Sequence, residues 1–174
     1  MDERLQLIKP TIDLKEEYIS FYNEWKETGE SMVPWVIEKD PGNFEAMVQF
    51  LEDNANGVNL PEGWIPDSTY WLIDQNNKVL GVVNLRHELT DFIRNNGGHI
   101  GYGIRPSERK KGYATQLLAL SLEKAKALDI KKVLVVCDEW NTASYKTIVK
   151  NGGVADTDFG EEDGNVVKRF WIAI

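Results

Sequence analysis

The sequence has one cysteine, Cys137, in 174 residues. That excludes an intrachain disulfide and any zinc site built on several thiolates, and it fits a reducing compartment. No metal is expected. No uninterrupted run of about 18 apolar residues occurs, which excludes a transmembrane helix. The opening MDERLQLIKP lacks the basic-then-apolar pattern of a secretory leader, so a cytoplasmic location and no membrane partner are expected. Basic residues are in deficit: 20 Lys and Arg against 28 Asp and Glu give a net charge of -8. Phosphate backbones need clustered cations, so a nucleic-acid partner is not expected. Neither a Gly-x-Gly-x-x-Gly following a strand nor a Gly-Lys-Ser/Thr is present, so the dinucleotide and P-loop phosphate motifs are both incomplete.

What is present suits one domain spanning 1–174. Hydrophobic residues make up 42% and aromatics 10% of the chain. A chain of this size buries roughly 70% of its unfolded surface. Charge is unevenly spread, net -10 over residues 1–97 and net +2 over 98–174. The acidic half suits a cation and the other half an anion.

The alternation of RLQLIK (4–9) predicts a first strand. Asp13 is the expected cap of a helix over 13–28, whose Leu14, Tyr18, Phe21, Tyr22 and Trp25 recur at spacings of 3 and 4. An irregular stretch (30–42) precedes a helix at 43–54. Residues 55–67, with two glycines and two prolines, read as loop. STYWLID (68–74), the QNN turn and KVLGVVNLRHEL (78–89) form a hairpin. One helical turn in 90–98 leads to the strand HIGYGIR (99–105). A helix over 112–128 buries Ala114, Leu117, Leu118, Ser121, Ala125 and Leu128. The continuously apolar KKVLVVCD (131–138) is a strand covered on both faces. A helix at 141–150 and closing strands at 154–160 and 166–173 complete the chain. This order predicts an α/β (α+β) fold: a single mixed, mostly antiparallel sheet flanked by helices.

Chemistry concentrates in HIGYGIRPSERKKGYA (99–114). A strand ends at Pro106, three basic residues follow, and Gly112 opens a long helix. A helix N-terminus offers unpaired N–H groups and partial positive charge, and a glycine there lets a phosphate approach the backbone. A pyrophosphate is the natural ligand of such a turn.

Arg109-Lys110-Lys111-Gly112-Tyr113-Ala114 resembles the signature loop of the GNAT superfamily of acyl-CoA N-acyltransferases, Arg/Gln-x-x-Gly-x-Gly/Ala between a strand and a helix. The strand ending Ile104-Arg105-Pro106 is similar to the family's. Asn141-Thr142-Ala143-Ser144-Tyr145 is similar to its second cofactor element. The resemblance implies an N-acetyltransferase moving an acetyl group from acetyl-CoA, its co-substrate, to a primary amine by direct attack. It implies that the 109–114 loop holds the coenzyme A pyrophosphate. The strand around Ile104 would pair with the pantetheine arm, and a nearby backbone N–H would hold the oxyanion. Gly101 and Gly103 would form a bulge that splays this strand from 131–138. Asn141 and Ser144 would touch the cofactor, and Tyr145 would protonate the departing thiolate.

The base is less well marked. His99 is the first candidate, standing where relatives carry a glutamate, with His87 and Glu88 behind it. Cys137 reads as a buried structural thiol. Among the aromatics, Phe44, Tyr70 and Trp71 read as core, whereas Trp35 and Trp64 fall in irregular segments and are the substrate-side candidates. The acceptor is expected to be a cationic small molecule or peptide amine. Relatives pair through sheet edges or C-terminal strands, and the apolar VVKRFWIAI would permit a homodimer. A non-catalytic acyl-CoA sensor on the same fold is the competing reading.

Overall fold

The computed structural model describes residues 4–174. A short strand β1 (Gln6–Ile8) leads to helix α1 (Lys15–Thr28), entered through one 3₁₀ turn. Thr11, not Asp13, caps that entry: its Oγ1 accepts from Asp13 N–H. Helix α2 (Phe44–Ala55) is capped by Asn43. Strands β2 (Asp67–Ile73) and β3 (Val79–Arg86) form the hairpin, and a short α3 (Asp91–Asn96) follows. Then come β4 (Ile100–Ile104), α4 (Tyr113–Ala127), β5 (Lys132–Asp138) and α5 (Thr142–Lys150). The expected strand over 154–160 is broken into β6 (Val154–Ala155) and β7 (Phe159–Gly160), and both pair with β8 (Val166–Ala173). Between them Asp156 N–H donates to the Arg169 carbonyl, and its carboxylate accepts from the Trp171 Nε1–H and faces the Arg169 guanidinium.

All the described pairings are antiparallel. They form two halves, in the order β1-β2-β3-β4 and β5-β8-β6 with β7 also on β8. Helices flank both faces, as the element order predicts. Alternation along β2 divides the core between the faces. Trp71 and Ile73 pack with Val79, Val82, α1 and α2; Tyr70 and Leu72 face Leu80, Val83, α4 and the β5–β8 pair. The helix faces fit this division, with Tyr18, Phe21 and Trp25 buried on α1 and Leu117, Leu118, Ser121 and Ala125 on α4. Leu128 falls just past the last turn of α4 and is exposed. No described helix is long and apolar enough to cross a membrane.

Trp71 is fully buried and stacks on Tyr18 at 4.5 Å. Trp71→Ala removes a large side chain from the α1–α2 face, so unfolding in urea should show a loss of about 3–5 kcal/mol. A loss under about 1 kcal/mol would show that this face repacks freely.

Candidate active site

The two half-sheets meet along β4 and β5, which run in the same direction on either side of the α4 crossover. They are joined at one end only. His99 N–H donates to Leu134 O (2.8 Å), and Leu134 N–H donates to His99 Nδ1 (2.9 Å). Beyond this staple the strands part. Tyr102, Gly103 and Ile104 on one side, and Asn141, Ala143 and Ser144 on the other, line a cavity of about 470 Å³. The splay does not come from a glycine bulge, because β4 pairs with β3 without a register shift from Ile100 to Ile104. Gly103 has a different role: a Cβ there would lie 1.9 Å from Val33 O and 2.5 Å from the Trp25 ring, so only glycine lets the 33–34 segment cross β4.

The floor of the slot is the entry to α4. Lys110 (φ 65°) and Gly112 (φ 85°) are both left-handed, and the helix has no side-chain cap. Its first-turn amides, those of Ala114 and Thr115 among them, therefore lack a side-chain acceptor at the positive end of the dipole. This concavity suits an anion. Arg109, Lys110, Gly112, Tyr113 and Ala114 line the same cavity as Ile104, Asn141 and Ser144. Arg109 is held inward by Glu30 (2.7 Å), the Ile104 carbonyl (3.2 Å) and the Trp25 ring (5.0 Å). Lys111 instead turns away to Glu108 (2.9 Å), whose carboxyl Lys78 and Lys111 hold below the usual range.

At its inner end the slot opens into a larger cavity of about 900 Å³, with Trp25, Tyr102, Arg109, Asn141 and Ser144 common to both. There the Tyr102 hydroxyl and Ser144 Oγ are 2.7 Å apart. Burial and Cys137 raise the Tyr102 phenol, partly offset by its bonds to Ser144 and Thr147, so it stays protonated at neutral pH. Across the cavity stand Asp138 and Glu161, both accepting from Asn165 Nδ2 at 2.7 Å. Trp35 lines this cavity and a further one; Trp64 lines only the further one.

The two residues expected to be catalytic lie away from both cavities. Tyr145 lines neither the slot nor the larger cavity; it is 44% exposed and packs edge-on against Phe170. His99 is 6% exposed and also lines neither cavity. Burial pushes its pKa down to about 4, with Arg86 and Arg94 adding to the effect. Its Nδ1 lone pair is already taken by Leu134, so the proton is on Nε2 and no basic lone pair remains. His87 is bound to Ser68 Oγ (2.7 Å) and Glu88 is exposed; neither lines the larger cavity. Sequence reasoning missed Tyr102, Asp138 and Glu161. Only Asp138 carries a signal, closing a buried strand just before the Asn141 element, where ligands gather in α/β folds.

A family model described as acetyltransferase (GNAT) domain matches residues 4–154. Among solved structures, the ribosomal L7/L12 alpha-N-protein acetyltransferase RimL with coenzyme A superposes with a TM-score of 0.70 at 18% identity, covering 98% of this chain and 94% of that one. A dodecameric spermidine N-acetyltransferase from Vibrio cholerae gives a TM-score of 0.66 at 19% identity, over 97% and 93%. At such identities these likenesses concern the fold. No curated protein matches the chain by sequence.

Because His99 binds its proton at about 4 when folded and near 6.5 when unfolded, the unfolded chain takes up a proton first as pH falls. The urea midpoint should therefore drop between about pH 6.5 and 4. His99→Asn keeps an acceptor without the titration and should lessen that drop, with His87 contributing the remainder near its own lowered value. An unchanged drop would clear His99 of it.

Proposed function

Since the chain belongs to the GNAT acetyltransferase family, and so depends on acetyl-CoA, we propose that it acetylates a primary amine, cationic in solution, by direct attack within the cavity between β4, β5 and the Glu161 turn. The observation that carries this reading is the continuity of two unlike compartments. A slot ending on an uncapped helix N-terminus runs, past Tyr102 and Ser144, into a cavity bearing paired carboxylates.

Acetyl-CoA supplies the activated acetyl group. The 109–114 loop is suited to its pyrophosphate: Lys110 adds an exposed positive charge, and the left-handed Lys110 and Gly112 turn the backbone amides of the loop toward one concavity. The unpaired edge of β4 from Gly101 to Ile104 is suited to the pantetheine arm, as an added strand would be. Asn141 caps α5 through its Oδ1, which leaves its Nδ2 for a carbonyl. An amine must lose a proton to attack, and Glu161 and Asp138 are the carboxylates placed to take it. Asn165 fixes both and leaves each an open oxygen. The departing sulfur needs a proton. Ser144 Oγ and the Tyr102 hydroxyl form the pair that delivers one, because they line the junction whereas Tyr145 does not.

Calorimetric titration should show micromolar binding of acetyl-CoA and none of NADH or ATP. Gly112→Val forces a β-branched residue to φ 85° and should weaken that binding about tenfold or more without unfolding the chain. Unchanged affinity would overturn the pyrophosphate assignment. With amines present, CoA release should fall by roughly 10²-fold or more in Glu161→Gln and in Ser144→Ala, at unchanged acetyl-CoA affinity. Binding without turnover on any amine would return the protein to the sensor reading.

A further inference from the structure

Beyond the acceptor cavity lies a second compartment of about 360 Å³ that shares Trp35 and Arg86 with it. Its walls are aromatic. Trp64 and Phe92 are 52% and 74% exposed, and Trp35 meets Trp64 edge-on at 5.7 Å while backed by Phe50 at 6.3 Å. Rings left this open beside a cavity have apolar area to give to an occupant.

The floor is charged. Asp67 opens β2 and Arg86 closes β3, and the two are register partners across the hairpin. Asp67 is 4% exposed, and its Oδ1 accepts from Asn84 Nδ2 at 2.7 Å. Arg86 uses Nη1 on the carbonyls of Gly97 (3.3 Å) and Gly98 (2.9 Å). Among the described residues no ion pair within 4 Å joins the two charges. Each keeps bonding capacity, since a carboxylate offers about four lone-pair sites and a guanidinium five donors. Burial pushes the Asp67 carboxyl up and the Arg86 guanidinium down, so neither charge fully compensates the other. A lone cation entering here would meet Arg86, and a lone anion would meet Asp67. A group carrying both charges side by side satisfies both.

We propose that this compartment holds the ammonium–carboxylate head of a free diamino acid of the lysine type, whose terminal side-chain amine is the acetyl acceptor. This rests on the acetyl-transfer reading above and names its acceptor class. The path is continuous. Arg86 lines both compartments, and Tyr102 lines the larger one with it. A lysine side chain of roughly 6 Å therefore leads from the head group into the larger cavity.

Four amines of matched length test it: lysine, cadaverine (no carboxylate), 6-aminohexanoate (no α-ammonium) and pentylamine (neither). Lysine should exceed cadaverine and 6-aminohexanoate in kcat/KM by roughly tenfold or more each, with pentylamine last. Arg86→Gln should erase the advantage of lysine over cadaverine, and Asp67→Asn its advantage over 6-aminohexanoate. Should those buried variants fail to fold, Trp64→Ala on the exposed wall should raise the KM for lysine several-fold with kcat unchanged. Pentylamine equal to lysine would make the compartment merely apolar, and cadaverine equal to or above lysine would make it a cation site; either overturns the proposal. Acetyl-CoA binding is measured on the same preparation. If it binds and no amine of the four reacts, this acceptor class falls while the cofactor assignment stands; if it does not bind, both fall.

Discussion

The architecture depends on a sheet closed at one end of a strand pair and open at the other. His99 makes that closure with its backbone N–H and its Nδ1, both to Leu134, and the next described pairings on either strand are with outer neighbours. If the β4–β5 ladder continued, the slot would be filled by backbone hydrogen bonds. If the staple were absent, no hydrogen bond among the described residues would join β4 directly to β5. A buried neutral imidazole suits the place, because it offers an acceptor in the line of an N–H without bringing in a charge.

Around the slot, ion pairs do positioning work of a kind that exposed pairs rarely do. Arg105 is buried at the end of β4, and its guanidinium is answered by Glu24 (3.0 Å), Ser20 Oγ (2.7 Å) and the Val79 carbonyl (3.3 Å). The same Glu24 accepts from the Ser107 N–H and hydroxyl, so α1 grips the start of the anion loop. Glu108 takes up Lys78 and Lys111 and anchors the next residue pair. The basic residues of this loop therefore divide their roles. Arg109 and Lys111 are spent on fixing the backbone, and Lys110, left-handed and exposed, adds to the field at the helix entry.

Most elements were legible because their signals are local: helix faces at spacings of 3 and 4, a hairpin turn, a continuously apolar strand. The turn from β4 into α4 was legible for the same reason. Tyr145 does not share a face with Asn141 because the spacing of four counts from Asn141 as though it were helical. Asn141 is the cap, with φ -85° and ψ 77°, so the helical angle does not carry through it. The face toward the slot is 144 and 147, and Tyr145 is turned about 100° from Ser144, onto Phe170 of β8. Tyr102 was hidden by its place in a strand, where only the partner across the gap reveals which side is open. Asp138, Glu161 and Asn165 meet through a pairing of β5 with β8 that no local pattern specifies.

The charge asymmetry along the chain takes on a specific meaning once folded, though not that of an acidic half facing a basic half. Acidic Glu30, from the N-terminal part, serves to hold Arg109 at the boundary of slot and cavity. The carboxylates of the acceptor cavity, Asp138 and Glu161, come from the net-positive part. Charges are thus ordered along one continuous path: Lys110 and Arg109 at the loop, the Asp138–Glu161 pair in the larger cavity, then Asp67 with Arg86. A bound anion at the loop and an ammonium at the cavity would each meet the sign that suits them, and at the junction Glu30 answers the Arg109 charge beside the Tyr102 and Ser144 hydroxyls. That pairing matters chemically, because an unanswered charge at the junction would favour either the ammonium or the thiolate and hinder the proton movements that acyl transfer to an amine requires.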